Sequence, residues 1–512
     1  MQKHSTALVI GAGFGGIAAA ARLAQQGYKV TVVEKNARPG GRCDQIIRDG
    51  HRFDIGPTLF LMPEVFAETY SALGERMEDH LDLRRIDPTY RIHFEDGKEL
   101  SLTSDLNQLQ SQVEAIEPGS FAALMRYMAE GYLHYHTSLE RFVGRNFYNL
   151  LDYFSLQNLP LLFKLKALVK HYDSIGHYFQ DPHLKQAFTF QNMYLGLSPY
   201  DAPATYSLLQ YTELAGGVWF PMGGLYKVVE NLVTIAEGLG VRFLYNAPVQ
   251  RIDVDDRRAR GVTLRDGTRL AADVVLANAD LPYVYQNLLP PDRKVKQLEN
   301  LRYTSSAIMF YWGVDKEISQ LDVHNVFLAK DYRESFDKIF KDHSLPDHPS
   351  FYVHAPSRVD PAAAPEGQDS LFVLVPAGHL DEGQDWNGLC NRARRSVLDR
   401  LAEIGISGLE NHLKFEVTYS PRTWLQRYNL AKGAAFGLSH NFWQVGYLRP
   451  HNRHDRYENL YFVGSSTHPG TGLPMVLLSA RLTVERILQE MSAPAYNRSQ
   501  YQVQQSAAAH SR

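Results

Sequence analysis

The stretch from Ala7 to Arg42 constrains this chain more than any other, because it spells out one complete nucleotide-binding unit. Ala7 to Ile10 is apolar throughout and reads as a short buried strand. It runs into Gly11-Ala12-Gly13-Phe14-Gly15-Gly16, a GxGxxG turn, and then an alanine-rich helix over Ile17 to Gln26, a break at Gly27 and a second strand, Lys29 to Val33. Each glycine has a physical task. Gly11 lets the chain turn sharply off the strand, Gly13 lets backbone approach a pyrophosphate, and Gly16 lets helix pack on strand. The free N–H groups of the helix then face the anion. Glu34, eighteen residues after Gly16, is placed to accept hydrogen bonds from the 2′ and 3′ hydroxyls of an adenosine ribose. A carboxylate there repels a 2′-phosphate, which argues against NADP.

The residues after Glu34 separate FAD from NAD. Lys35-Asn36-Ala37-Arg38-Pro39-Gly40-Gly41-Arg42 resembles the E-K-x-x-x-x-G-G-R continuation of the amine-oxidase-like flavoproteins, whose loop and arginine lie along the flavin side of the cofactor. The resemblance implies FAD, with Gly11, Ala12, Gly13, Gly15, Gly16, Glu34, Lys35, Gly41 and Arg42 in its site.

A net charge of -3 and a pI near 6.7 show no basic excess, and no DNA-binding motif is present, so nucleic acid is not expected as a partner. Cys43 and Cys390 cannot form a disulfide framework and lack metal-ligand spacing, which fits a reduced, cytoplasmic-side location and no metal. Cys43 follows the glycine loop, either touching the cofactor or buried as a spectator. Lys3, His4 and the apolar run Ala7 to Ala21 have the outline of a signal peptide, but the spaced glycines and the strand ending in Glu34 are better explained by a dinucleotide-binding core. No other stretch reaches the roughly twenty apolar residues of a spanning helix, so membrane contact is expected to be peripheral.

Gly50 to Asp54 with Gly56-Pro57-Thr58 resembles the F-D-x-G-P-T element of carotenoid desaturases and related oxidases, which lies beside the flavin ring in that family. A helix is expected from Leu59 to about Gly74, and hairpin strands from Leu81 to Leu102 around Asp96-Gly97. Farther on, Leu161, Leu162, Leu165, Leu168, Val169 and Tyr172 recur at helical spacing, with Pro160 as a start and Lys164, Lys166 and Lys170 mostly off the stripe. This is either a core-facing helix or an interfacial helix with lysines at lipid headgroups. From Gly216 the chain returns to the cofactor domain through a helix over Leu225 to Gly238, strands Val241 to Tyr245 and Val249 to Val254, and the buried strand Asp273 to Ala277. Apolar strands at Ala307 to Trp312, Ser350 to His354 and Leu371 to Val375 suggest a sheet walling a substrate chamber.

Leu460 to Gly464 is a second buried strand ending in a glycine turn, Ser465-Ser466-Thr467-His468-Pro469-Gly470-Thr471-Gly472-Leu473-Pro474, before a helix from Met475 to about Gln489. A helix N-terminus carries about half a positive charge, worth up to roughly 2 kcal/mol in partly buried geometry, and a reduced flavin gains negative charge near N1 and O2. At these residues the chain closely resembles the bacterial-type carotenoid desaturases, the family of phytoene and dehydrosqualene (diapophytoene) desaturases, and its T-H-P-G-x-G-x-P signature. Thr471 stands where that family often has alanine.

The resemblance covers nearly the whole chain, including Met62-Pro63-Glu64-Val65, Ile116 to Ser120 and Gly433 to Leu438. It implies an α/β fold, with a Rossmann-type FAD-binding domain and a mixed-sheet plus helical substrate domain. Residues 1–80, 216–290 and 451–491 would form the FAD domain, 81–215 and 291–450 the substrate domain, and 492–512 a disordered tail. It adds Gly56, Pro57, Thr58, Val249, Gly464, Ser465, Gly472, Leu473, Pro474 and Met475 to the cofactor site. It also implies a polyene hydrocarbon drawn from membrane, since passing roughly forty apolar carbons through water costs about 30 kcal/mol at about 0.8 kcal/mol per CH2. The expected reaction is hydride transfer to FAD followed by proton loss, with oxygen or a quinone as electron acceptor. His468 is a candidate catalytic base or a residue fixing its own turn; Arg141 and Arg145 are weaker candidates that surface ion pairs would equally explain. The alternatives are a carotenoid isomerase or terminal-methyl oxidase on the same scaffold, a polar-substrate flavin oxidase, and an isoprenoid-binding chaperone resembling the Rab GDP-dissociation inhibitors, against which the intact Gly40-Gly41-Arg42 loop and the second flavin motif argue.

Overall fold

A computed structural model of the chain describes residues 5–492. The tail expected to be disordered therefore lies outside the described residues, apart from its first position. The glycine unit forms as its pattern predicts: strand Thr6–Ile10, helix Phe14–Gln25 and strand Lys29–Val33, the two strands parallel with Leu8 opposite Thr31. Five parallel strands build the sheet in the spatial order Leu460–Phe462, Val274–Ala277, Thr6–Ile10, Lys29–Val33, Arg242–Leu244. Strands distant in sequence are thus hydrogen-bonded neighbours. The alanines of the first helix, Ala18 to Ala21, are wholly buried, so the helix lies close on the sheet with little side-chain volume between them.

A three-stranded antiparallel sheet, Val249–Asp255, Arg258–Leu264 and Arg269–Ala271, lies beyond this core. A seven-stranded mixed sheet contains the two longest strands, the paired Ser306–Val314 and Asp369–Ala377. Both strands are almost continuously apolar and buried, as expected of strands covered on both faces.

Two sequence expectations are corrected. Leu83–Ile86 does not pair within a Leu81 to Leu102 hairpin; it pairs antiparallel with Val218–Pro221, while Tyr90–Phe94 and Glu99–Leu102 form the hairpin. The stripe from Leu161 to Tyr172 is not one helix. Pro160 does sit in the first turn, but the helix Leu159–Lys164 ends after six residues, Lys166 takes a left-handed φ of 50°, and a separate turn of helix begins at His171. The stripe divides accordingly: Leu165 is buried against Phe142, Phe147 and Tyr153, whereas Leu168 is 67% exposed.

Candidate functional site

The two glycine motifs follow strands that flank Val274–Ala277 on either side, and the helices that follow pack on one another, Gly15 of the first lying against Val476 of the second. A Cβ on Gly16 would sit 2.2 Å from the Gly11 carbonyl oxygen, so only glycine allows this approach. The helix Phe14–Gln25 has no side-chain cap at Gly13, which leaves its first-turn amides available to an anion. Glu34 is buried; its Oε2 accepts from the Ala12 amide and its Oε1 from the Asn36 amide, each at 2.8 Å. Burial raises its pKa, and the two amides oppose that shift. Each oxygen keeps a lone pair for a hydroxyl donor.

Next to this cradle is a cavity of about 920 Å³. Gly11, Gly13, Gly15, Glu34, Lys35, Gly41 and Arg42 line it from the first motif, and Gly56, Pro57, Thr58 and Val249 from the middle of the chain. Gly464, Ser465, His468, Gly472, Leu473, Pro474 and Met475 complete it from the second motif. Ala12 and Gly16 are set behind this surface; Ala12 is wholly buried and contributes its amide to Glu34. Lys35 reaches sideways, its Nζ donating to Asn429 Oδ1 at 2.9 Å.

Arg42 joins the two motifs. Its guanidinium donates to the Ala435 carbonyl at 2.9 Å and to Ser465 Oγ, and Asp280 lies near enough to favour its charged form against desolvation. Asp280 in turn accepts from Ser466 Oγ and from the Ala431 amide. His468 is buried, and its Nε2 lies 3.0 Å from the Arg145 carbonyl oxygen, a pure acceptor, so this nitrogen carries the hydrogen and holds the turn to residue 145. Burial lowers its pKa to about 4, keeping the ring neutral at physiological pH. Arg145 itself pairs with Asp152 at 2.9 Å. Cys43 is buried beside the Leu225 carbonyl with its pKa pushed up by burial, as suits a thiol rather than a reactive thiolate.

Three residues that sequence reasoning missed hold the site together. Asn278, just past strand Val274–Ala277, lies within 3.0 Å of the Cβ positions of Gly13, Gly15, Gly16 and Gly464, spanning both motifs. Arg449 is 1% exposed and donates to the carbonyls of Leu438, Ser439, Gln444, Ser465 and Thr467. His440 Nε2 accepts from the Thr471 amide at 3.0 Å. The position of Asn278 at the carboxyl end of a buried strand was the one available signal, since ligands of open α/β sheets collect there. Nothing local marks Arg449 or His440.

The uncapped helix N-terminus, the glycine-lined approach, the ribose acid and the buried arginine together fit FAD. Comparison with known proteins agrees. Residues 14–488 match the model of the flavin containing amine oxidoreductase family. The chain is 49% identical over 483 residues to a zeta-carotene-forming phytoene desaturase of Myxococcus xanthus, covering 94% of this chain and 93% of that protein. It is 34% identical to a 4,4'-diapophytoene desaturase (4,4'-diaponeurosporene-forming) of Staphylococcus aureus (strain Newman), covering 94% and 98%. An oxidoreductase structure from Methanosarcina mazei superimposes with a TM-score of 0.63 at 17% identity, covering 94% of this chain and 100% of that one, which supports the fold alone. The chain therefore belongs to the carotenoid desaturases, a branch of the flavin-containing amine oxidoreductases.

Proposed function

We propose that this protein is an FAD-dependent desaturase that introduces conjugated double bonds into a C30 or C40 carotenoid precursor, dehydrosqualene or phytoene. The observation that carries the reading is the cavity: one space is lined both by the cofactor motifs and by apolar groups such as Leu165, Leu208, Met309, Val326, Leu328 and Phe336. A polyene hydrocarbon has no polar handle, so a long apolar wall is the only means of recognising it. When bound, FAD supplies the hydride acceptor. Glu34 would hold its ribose, and the first-turn amides after Gly13 its pyrophosphate. The N-terminus of helix Leu473–Ser492 would favour the anionic reduced ring. Walls that exclude water protect a substrate cation from hydration.

The test is to incubate the purified protein with FAD, liposomes and each precursor, supplying oxygen or a quinone, and to weigh the products. A desaturase removes two hydrogens per new double bond and shifts absorption to longer wavelength. An isomerase leaves mass unchanged, a terminal-methyl oxidase adds oxygen, and a chaperone shows no flavin reduction. Return of both precursors unaltered under conditions that reoxidise the flavin would sink the reading.

We further propose that the protein works as a peripheral protein on the cytoplasmic membrane face. No helix among the described residues is long and apolar enough to cross a membrane. Residues 150–169 instead expose Leu151, Leu156, Phe163 and Leu168, each at least 67% accessible, while Leu162, Leu165 and Ala167 of the same segment line the cavity. A lipid-borne substrate would thus pass from bilayer to tunnel across one short stretch of chain. Replacing Phe163 and Leu168 together by glutamate is expected to lower liposome co-sedimentation about tenfold or more, from side chains worth about 1.5–3 kcal/mol each when fully buried. Flavin content should hold, because neither side chain lies in the core. Leu165→Glu is the wrong probe, since it would place a charge in the buried cluster of Phe142 and Tyr153. Undiminished sedimentation of the double variant would return the patch to ordinary surface.

A further inference from the structure

Beside the Gly56-Pro57-Thr58 turn, a short polar chain is set into an otherwise aromatic and aliphatic wall. Thr58 Oγ1 lies 2.8 Å from Tyr352 Oη, which lies 2.7 Å from His324 Nδ1. Thr58 and Tyr352 line the cavity, whereas His324, on the neighbouring strand, is 1% exposed. The His324 ring stacks on that of His354 at 4.9 Å and lies 5.8 Å from that of Tyr90, and its Nε2 has no hydrogen-bond partner. On its face of the sheet His324 is paired with His354, and beside these histidines and Tyr352 the neighbours Val326, Phe372 and Leu374 are apolar. Setting a hydroxyl and an imidazole here costs stability that a valine or phenylalanine would avoid. With Thr58 donating to Tyr352 and Tyr352 donating to His324, Nδ1 is a free base.

We propose that Tyr352 is the catalytic residue that takes the proton lost by the substrate, with His324 as the positioning residue that receives Tyr352's own proton at Nδ1. The proposal rests on the desaturase reading above. Bound FAD would supply the acceptor for a hydride that leaves one allylic carbon with its electron pair. The C–H bond on the adjacent carbon then breaks, and its electrons become the new π bond. Its proton passes to Tyr352 Oη as the Tyr352 proton passes to His324. The positive charge moves from carbocation to imidazolium, so no net charge is created and the wall carries one only transiently, whereas a standing carboxylate there would bear its desolvation cost in every state. Burial, reinforced by His354, holds His324 well below the usual imidazole range, which keeps it neutral before the step and ready to release the proton after it. The other candidates are placed less well. His468 spends one nitrogen on the Arg145 carbonyl. Glu213 is buried away from the cavity lining, where Tyr90 and Gln191 donate to it, and burial pushes it up to about 8.

The experiment uses the FAD-loaded full chain in liposomes and phytoene or dehydrosqualene, with and without deuterium on the carbon that gives up the proton. Flavin content and anaerobic flavin bleaching in a single turnover are recorded. Tyr352→Phe is expected to keep its FAD, to turn over about 100-fold more slowly, and to show an isotope effect that rises towards its full primary value as proton loss becomes limiting. His324→Asn preserves an acceptor for the Tyr352 hydroxyl but cannot take its proton; it is expected to lose at least about tenfold with the same rise. If Tyr352→Phe sheds FAD or fails to fold, His324→Asn decides by the same isotope readout. A Tyr352→Phe rate within about threefold of the parent, or a slower rate with an unchanged isotope effect, overturns the assignment. Failure of the parent protein to desaturate either precursor would overturn the desaturase reading instead.

Discussion

Gly13→Val is expected to purify without flavin. Gly13 caps the first helix in extended conformation, and a Cβ there would lie 2.8 Å from Asn278 Nδ2, in a space that has no room to give because Asn278 also abuts Gly15, Gly16 and Gly464. The valine must therefore either displace Asn278 or extend its methyls into the anion-binding mouth of the helix. Either way the pyrophosphate loses its approach to the amides. A loss of at least about a hundredfold in FAD affinity, about 2.7 kcal/mol, is the expected size. The check is the flavin-to-protein absorbance ratio after purification, followed by FAD titration of the apoprotein. A folded variant that retains FAD at the parental ratio would remove Gly13 from the site.

Arg449→Met is expected to destabilise the whole protein. The guanidinium is surrounded by five backbone carbonyls from two separate loops, and burial lowers its pKa to about 10, still far above physiological pH. Methionine fills a similar volume but donates nothing, so these carbonyls lose a shared partner. Each buried acceptor left unsatisfied costs about 1–3 kcal/mol. Thermal unfolding should shift down by several degrees. FAD should also be held less firmly, because Ser465 and Thr467 belong to the second glycine motif. Arg449→Lys, with one compact ammonium in place of a planar fork, should fall between the two. An unchanged unfolding curve for Arg449→Met would show that the loops support themselves.

The sequence made the parts of the site that are local plainly legible. Gly11 to Glu34 and Leu460 to Pro474 each carry strand, glycine turn and helix in one continuous run, so spacing alone determines their geometry. What escaped is what depends on convergence. Asn278 matters because four glycines from two distant segments meet at it, and Arg449 because two loops fold over it; neither fact is written near residue 278 or 449. The divided stripe shows a different limit. Helical periodicity at Leu161 to Tyr172 is present in the side chains, yet the chain turns at Lys166, a residue type with no intrinsic preference for left-handed backbone. Tertiary contacts, with Leu165 drawn inward and Thr205 Oγ1 donating to its carbonyl, decide the matter there. Leu83–Ile86 likewise followed a distant partner, Val218–Pro221, over a near one.

The order of the parallel sheet has a consequence for how the protein is made. Strand Thr6–Ile10 leaves the ribosome long before its neighbour Val274–Ala277, which follows hundreds of residues later, and Leu460–Phe462 comes later still. The FAD cradle cannot close until residue 462 and the helix after it have been synthesised. Until then the wholly apolar strand Val274–Ala277 keeps one edge unpaired and exposed to wrong partners. A chain broken off anywhere between Arg42 and Leu460 would bear the whole first motif and still lack its seat for the flavin ring, so cofactor loading reports that translation has passed that point.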